Sequence, residues 1–383
     1  MEGFKIEDRL SRSGSASDIY AVMGTSGRDR GFEALLSLMA DKGLKFYRSA
    51  EDGEHSGPEG LIPRDAVVLI KVNSQWDERG GTNTDLVDSI ITAVTEHPDV
   101  YAGEVVVADN GQAQYGSTRR GGSLDYERNN AEDTSRSIQR VVDGFSGVHR
   151  VSTYLWDTIT TSKVDEYFMG DDEDGYVVDE GASGGSALRV SYPKFKTGHG
   201  TRISFRHGVW LPDVSGYDGE RLKVINVPVL KAHFIYGVTA CVKHYMGVVS
   251  DKLTGGDSHR SVRRGGMGTE MAATRMPTLN VLDAIWVNAD PGSGPSSPYT
   301  KATRLDTIVA GTDPVALDYL ASKHVLMQAA RLKGHGDLSK IDPDNTEEGS
   351  FGSWLRLSAE ELADAGHTFT LDEERMNVHT LPL

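Results

Sequence analysis

The chain has 383 residues, 38% of them hydrophobic, with 40 basic against 56 acidic side chains and a formal charge of −16. That length exceeds one typical core, so two domains are expected, and the negative balance opposes polyanionic surfaces, which excludes nucleic acid and inner-leaflet lipid as main partners. A lone cysteine, Cys241, excludes an internal disulfide, a cysteine-built zinc site and a Cys-ligated iron–sulfur cluster. No apolar run approaches about 18 residues and the N-terminus opens polar, which predicts a soluble, cytoplasmic protein without a membrane partner.

Helical spacing of apolar residues opens the chain in GFEALLSLMADKGL (31–44). DAVVLIKVN (65–73) is apolar on consecutive residues, the pattern of a parallel strand covered on both faces. An amphipathic helix follows over 84–97, with Thr84 or Asp85 placed to cap it. The design repeats with a strand in GEVVVADNG (103–111) and a helix over 129–145, a βαβ signature. Between about 150 and 220, short alternating strands and many turn residues predict a β-rich insertion. The α/β texture returns in RLKVINVPVLKAH (221–233), PTLNVLDAIWVN (277–288) and LDTIVAGTDPVALDYLASKHVL (305–326). In the tail, Ser358 and Glu361 of LSAEELADAG (357–366) read as a capping box. The expected fold is therefore α/β: two Rossmann-like domains with mostly parallel sheets over 1–150 and 221–330. A central β-rich insertion spans 151–220, and a helical or looped tail over 331–383 packs back on the domains.

In open α/β sheets ligands sit beyond the carboxyl ends of the strands. Lys71 and Asn73 close the strand at 65–73, and RGGTNTD carries Thr82 and Asn83 into a helix start, where free N–H groups and the dipole favour an anion. The same residues read equally as a capped helix after a flexible turn. GxxxxGK[ST] is absent, and neither GASGG (181–185) nor GSGP sits between a strand and a helix, so no NAD or ATP site is expected. ADNGQAQYGSTRRGG supplies Asp109, Asn110, Gln112, Gln114, Arg119 and Arg120, though Asn-Gly is also an ordinary turn, the reading favoured there.

The stretch KAHFIYGVTACVKHYMGVV (231–249) places Lys231, His233, Lys243 and His244 in an apolar run. Burying an unpaired charge costs several kcal/mol or forces a pKa shift, so such groups are solvated, paired, or compensated by a ligand. Lys231 and His233 are expected just past a buried strand. Tyr236, Val238, Cys241, Val242 and Tyr245 then repeat at helical spacing, with Thr239, Lys243 and Met246 on another stripe, which predicts a mostly buried helix with the Lys243 ammonium on one side. His244 reads as a packing or capping residue. Downstream, His259, Arg260, Arg263 and Arg264 form either an anion trap or a loop paired with surface carboxylates. Asp313 before Pro314 reads as an N-cap with proline at N1, with Asp318 on the helix that follows. Asp283 is a further polar group at a strand end.

The phrases VVLIKVN, GTNTD, VINVPVLKAH, GVTACVKHYMGV, LNVLDAI and AGTDPVALD resemble, in this order, the blocks of the domain-of-unknown-function 362 family, over roughly residues 60–115 and 220–325. The resemblance implies an α/β fold with a Lys-x-His and a Lys-bearing helix, and no settled activity. Many members carry ferredoxin-type cysteine clusters; with only Cys241 this chain inherits no iron–sulfur cluster. The spacing of His233, Lys243 and His259, ten and then sixteen residues apart, is also similar to that of the lactate racemase family, which uses a nickel-pincer nucleotide. Ala240-Cys241-Val242 stand where that family has Gly-Gly-Arg. The similarity implies Lys243 as the cofactor tether, His259 as a metal ligand, and His233 as an acid/base residue or second ligand.

The function expected is an enzyme acting on a small anionic, hydroxy-acid-like substrate by proton or hydride movement, with a transition metal or a nickel-pincer-type nucleotide. Its cleft is expected to hold Lys71, Asn73, Lys231, His233, Lys243, His259 and Arg260, with Thr82, Asn83 and Arg263 as further anion contacts. The alternative is a non-catalytic protein that binds a phosphate- or carboxylate-bearing ligand with the same cations.

Overall fold

The computed structural model describes residues 3–12, 14, 16–112, 121–181 and 185–383. Gln114, Arg119 and Arg120, and the middle of the GASGG run, lie outside these residues.

Most β-branched runs form strands where the sequence predicts them. In chain order the labelled strands begin with β1 (Ser17–Met23), β2 (Val67–Lys71), β3 (Glu104–Asp109) and β4 (Val151–Leu155). Then come β5 (Gly175–Val178), β6 (Ser191–Lys196), β7 (Arg202–Ser204), β8 (Gly208–Leu211) and β9 (Gly216–Asp218). The last six are β10 (Leu222–Asn226), β11 (Val229–His233), β12 (Gly237–Thr239), β13 (Leu279–Asn288), β14 (Thr303–Gly311) and β15 (Met376–Pro382). The labelled helices are α1 (Gly31–Asp41), α2 (Thr84–Thr95), α3 (Ile138–Phe145), α4 (Asp257–Ser261), α5 (Gly266–Ala273), α6 (Pro314–Leu320) and α7 (Phe351–Asp364), with a further short helix at Met327–Leu332 after α6.

The main sheet runs β15-β1-β14-β13-β10-β2-β3-β4, with β11 joined to β13 and β12 to β11. Its pairings are mostly parallel, the exceptions being β1 with β14, β13 with β14, and β11 with β12. Every residue of β2 is buried, as a consecutive apolar run requires. Alternate side chains feed opposite layers. Val68 and Ile70 pack with Val105, Val107 and residues of α1, α2 and α3, while Val67 and Leu69 join a second core with the insertion, α5, α6 and α7. Fully burying each such side chain stabilises by roughly 1.5–3 kcal/mol, so this two-sided cover is what fixes the strand centrally.

The α/β class and the β-rich insertion are as expected. Strands from both expected α/β halves nevertheless share one sheet, because β10 pairs in parallel with β2, Leu222 beside Val67 through Asn226 beside Lys71. Two equally apolar runs complete each other's backbone pairing, a long-range choice that local pattern does not encode. Val151–Leu155, counted with the insertion, is instead the edge strand beside β3; the five-stranded antiparallel sheet starts at Gly175. The tail ends not in loop but in β15, which runs parallel to β1.

Local signals also moved. Asn83 caps α2 through Leu86 N, in place of Thr84 or Asp85. Ser350 caps α7, and Ser358, expected to begin a helix, lies inside it with its hydroxyl donating to Trp354 O. Asp313 caps α6 with Pro314 at N1, as read from the sequence. No helix among the described residues is long and apolar enough to cross a membrane.

Asp318, on α6, does not serve its own helix. Its Oδ1 accepts from Cys241 N at 2.6 Å and its Oδ2 from Val242 N at 3.0 Å, which anchors the segment before Lys243. Burial pushes this carboxyl up to about 7, against the downward pull of the two N–H groups. A folded pKa above the unfolded 3.8 means stability is fullest below about pH 4 and is lost as pH rises through 7. Asp318→Ala, which leaves two buried N–H groups without acceptors, should cost about 2–4 kcal/mol in denaturant unfolding. Asp318→Asn should cost less and remove the decline in stability between pH 4 and 7; an unchanged pH profile refutes this assignment.

Candidate functional site

A single apolar run becomes two strands because Pro228 has no N–H to donate. β10 pairs with β13 at Ile225 and Asn226, and the chain regains β13 at Val229 and Lys231 with a shifted register. Lys231 and His233 thus lie within β11, on one face by strand alternation, and not past its end. Gly237, at φ +81°, lets the chain fold straight back as β12, with Lys231 opposite Thr239. A Cβ there would meet Lys340 O at 2.2 Å.

The helix expected over this segment is therefore a strand followed by a short 3₁₀ turn, Lys243–Gly247. Pairing with β11 satisfies the backbone that a helix would have satisfied internally, β-branched Val238 and Thr239 suit it, and Asp318 takes the next N–H groups.

These elements enclose a cavity of about 260 Å³ beyond the carboxyl ends of β2 and β3. Its polar lining includes Asn73, Asp109, Lys231, Thr239, Lys243 and three histidines, His233, His244 and His259. Under it lies a buried ion pair, Lys71 Nζ to Asp109 Oδ1 at 2.8 Å. Asp109 Oδ2 accepts from Ser74 N at 2.7 Å and Ser74 Oγ at 2.9 Å. Burial holds Lys71 below its ordinary range while Asp109 pulls it back up. Lys71 is therefore matched within the protein and does not line the cavity, in place of the substrate contact expected. Gly247 presses on this pair: a Cβ would sit 2.2 Å from Asp109 Oδ1 and 2.6 Å from Lys71 Nζ.

The other two lysines lack such a match. Lys231 Nζ donates to Gly80 O at 2.6 Å. Burial first and Lys243 second bring it down to about 7, with Asp109 and Asp283 opposing. Lys243 makes no hydrogen bond through Nζ among the described residues; its ammonium lies 5.0 Å from the centre of the Tyr236 ring, and burial lowers it to about 8.

Each histidine has one nitrogen committed, and the commitments differ. His233 Nδ1 accepts from Ile235 N at 3.2 Å and Tyr236 N at 3.4 Å, so the neutral ring carries its proton on Nε2. Burial, then Lys243, Lys231 and His259, push its pKa to about 2, which keeps it neutral. Nε2 is then a donor with no lone pair to offer, which departs from the metal-ligand role implied by spacing. His244 Nδ1 lies 2.7 Å from Asn226 Oδ1. The Asn226 amide donates to Asn280 Oδ1 at 2.9 Å and Cys241 O at 3.3 Å, so Nδ1 of His244 is the donor and Nε2 the acceptor. That Nε2 has no side-chain or backbone hydrogen-bond partner within bonding geometry among the described residues, and neither has Thr239 Oγ1. His244, read as a packing residue, is a cavity residue. His259, on α4, has Nδ1 2.9 Å from Asp251 Oδ2. Burial raises the Asp251 carboxyl, but hydrogen bonds from His259 and Ser258 outweigh it and hold the group at about 2. Nδ1 of His259 donates, leaving Nε2 as its basic atom.

Other expected residues have structural duties. Thr82 Oγ1 accepts from Asn73 N at 2.7 Å and donates to Val227 O at 2.8 Å. Asn83 N donates to Asp283 Oδ2 at 2.8 Å, and the same oxygen accepts from Asn130 Nδ2. Burial raises Asp283 to about 6. The start of α2 is closed by the protein's own acceptors, so Thr82 and Asn83 are not anion contacts. Asn73 does reach the cavity, with Oδ1 accepting from Val229 N. Asn110 and Gln112 spend their amides on Tyr176, Val249 and Met246, clamping the segment after Lys243 to the end of β3. Arg260, 63% exposed at its side chain, pairs with Asp257, and Arg263 donates to Ile235 O. Neither guanidinium lines the cavity, so the loop reading wins over the anion trap.

Among the described residues no three His, Cys, Asp or Glu side chains gather to hold a metal ion. Asn226 and Asp251, which set two of the tautomers, escaped the sequence reading. Asn226 carries the same signal as Lys231, a polar residue inside an apolar run, whereas Asp251 gives none before the chain folds.

No curated protein and no solved structure matches the chain. The blocks quoted before residue 115 lie outside the family match, which begins later in the chain. Residues 220–323 match the family model described as Domain of unknown function (DUF362), and that match contains the segment carrying Lys231, His233, Lys243, His244 and His259.

Proposed function

We propose that the cavity binds a small carboxylate- or phosphate-bearing substrate of hydroxy-acid type and moves a proton at the carbon beside its acid group. One observation carries the reading: a buried amine without a hydrogen bond, Lys243, shares a small cavity with Lys231 and with imidazoles already set as donor or acceptor. An anion between Lys231 and Lys243 offsets the desolvation of both ammonium groups. His259 Nε2, backed by Asp251, takes the proton. Neutral His233 donates from Nε2 to the oxygen on which charge builds, a task a neutral imidazole performs well where its pKa is depressed. Loss of activity with retained affinity separates this from the rival reading, a binder that uses the same cations without proton chemistry.

The nickel-pincer nucleotide implied by the second resemblance would be held by the Lys243 amine and by His259 Nε2, the two groups with capacity to spare. When bound, it supplies a metal centre able to accept hydride. With that group bound, the Lys243 amine and the single lone pair of His259 Nε2 would be committed to it, leaving Lys231 to hold the anion and His233 Nε2 to donate; without it, Lys243 and His259 are free for the anion and the proton.

His259→Gln should lower turnover about 10²-fold or more while leaving affinity within a few-fold. The readout is exchange of the hydrogen beside the acid group into D₂O, followed by NMR over a panel of 2-hydroxy and 2-oxo acids. Acids that bind yet never exchange above the enzyme-free rate would leave the binder.

Affinity for an inert dianion such as oxalate should be greatest below about pH 7 and fall as pH climbs through 7 and 8, where Lys231 and Lys243 lose their protons. With no ligand added, folding stability runs the other way: the folded lysine pKa values lie below the unfolded 10.5, so stability rises over that range and above it. Calorimetric titration at pH 6 and pH 9 checks the first statement, and equal affinities contradict it.

A further inference from the structure

The mouth of the cavity is apolar on one side. Phe234 and Ile235, consecutive residues in the turn between β11 and β12, are 51% and 42% exposed, and both line the cavity with Trp76. Looseness does not explain that exposure, because the turn is tied at several points. Ile235 N and Tyr236 N donate to His233 Nδ1, Arg263 donates to Ile235 O at 3.0 Å, and Trp354 Nε1 donates to Tyr236 O at 2.8 Å. The Phe234 ring stacks on His233 at 5.9 Å between centres and 21° between planes. Single exposed apolar side chains are ordinary, but two that are held rigidly at the lip of a cationic cavity form a preorganised apolar surface continuous with it.

We infer that the ligand is amphiphilic, with its acid group at Lys231 and Lys243 and an aromatic or branched apolar body against Phe234, Ile235 and Trp76. The inference rests on the reading of the cavity as an anion site, and it narrows the substrate class from small acids in general to acids bearing a hydrophobic substituent. A methyl group, as on the smallest 2-hydroxy acids, would cover little of that apolar lip.

The experiment is calorimetric titration at pH 6.5 of lactate and phenyllactate into the full chain, its Phe234→Ser and Ile235→Ser variants, and Lys231→Gln. Phenyllactate should bind about tenfold or more tighter than lactate, from the apolar area it removes from water. Phe234→Ser should remove most of that advantage while leaving lactate affinity unchanged, and Ile235→Ser should remove part of it. Lys231→Gln should weaken both acids together. Equal affinities for the two acids, or an advantage that survives both lip variants, overturns the inference while leaving the anion reading intact. Failure of both acids to bind wild-type protein overturns the anion reading and this inference with it. Sedimentation at two concentrations adds one more arm: self-association abolished by Phe234→Ser would assign the lip to a second copy of the chain instead.

Discussion

The buried pair between Lys71 and Asp109 is the constraint on which the site depends. Taking both charges out of water is expensive, and the pair is tolerable only because Ser74 satisfies the second carboxylate oxygen through its N–H and its hydroxyl. Its position at the ends of two adjacent parallel strands follows from register, since Lys71 lies beside Ala108 and Asp109 follows next. The pair also sets the approach of the chain above it: only a residue without a side chain can pass at Gly247, so the turn bearing Lys243 and His244 settles directly over it. With Lys71 matched by Asp109, the one aspartate among the described lining residues, Lys231 and Lys243 remain in excess, and the cavity is cationic inside a protein of charge −16.

The second organising feature is the fixing of ring protons by groups outside the cavity. Backbone N–H groups of a tight turn make His233 a donor, an asparagine chain from Asn280 through Asn226 makes His244 an acceptor, and a carboxylate makes His259 a base. These roles come from three unrelated parts of the fold: a hairpin turn, the last residue of β10 and the loop before α4. A substitution at Asn226 or Asp251 therefore acts on the site without touching a ligand, by releasing a ring to turn or to change tautomer.

Much of this was legible as an anomaly and little of it as geometry. Lys231, His233 and Lys243 stand out because charge in an apolar run needs an explanation, and all three do line one cavity. The same logic, applied to Asn226, would have found the partner of His244. The helical stripe through Val238 and Lys243 misled, because a short strand and a 3₁₀ turn in succession imitate a 3.6-residue period over so few residues. Partners distant in sequence stayed hidden: Asp109 for Lys71, Asp318 for the backbone at Cys241, and β2 for β10. Each is a choice made by packing among several equally plausible acceptors or strands. The glycine-rich approach to α2 looked like an anion cradle because its donors are free in the sequence; in the fold Asp283 and Asn130 O have already taken two of them.

The cavity's polar lining looks outside the chain for its partners. Among the described residues Lys243 makes no hydrogen bond, His244 Nε2 and Thr239 Oγ1 find no partner, and Lys231 has a single acceptor. A buried polar group with no protein, water or ligand partner would cost roughly 1–3 kcal/mol, so these groups are matched from outside the chain. Groups that find their partners outside the chain can trade water for the matching atoms of a ligand, which ties the polar lining to binding and not to the core. Binding and stability are then one quantity seen from two sides. A ligand that meets the two ammonium groups and the imidazole acceptor returns the desolvation energy stored there, and its differential affinity for the folded chain raises the unfolding free energy in step with its concentration.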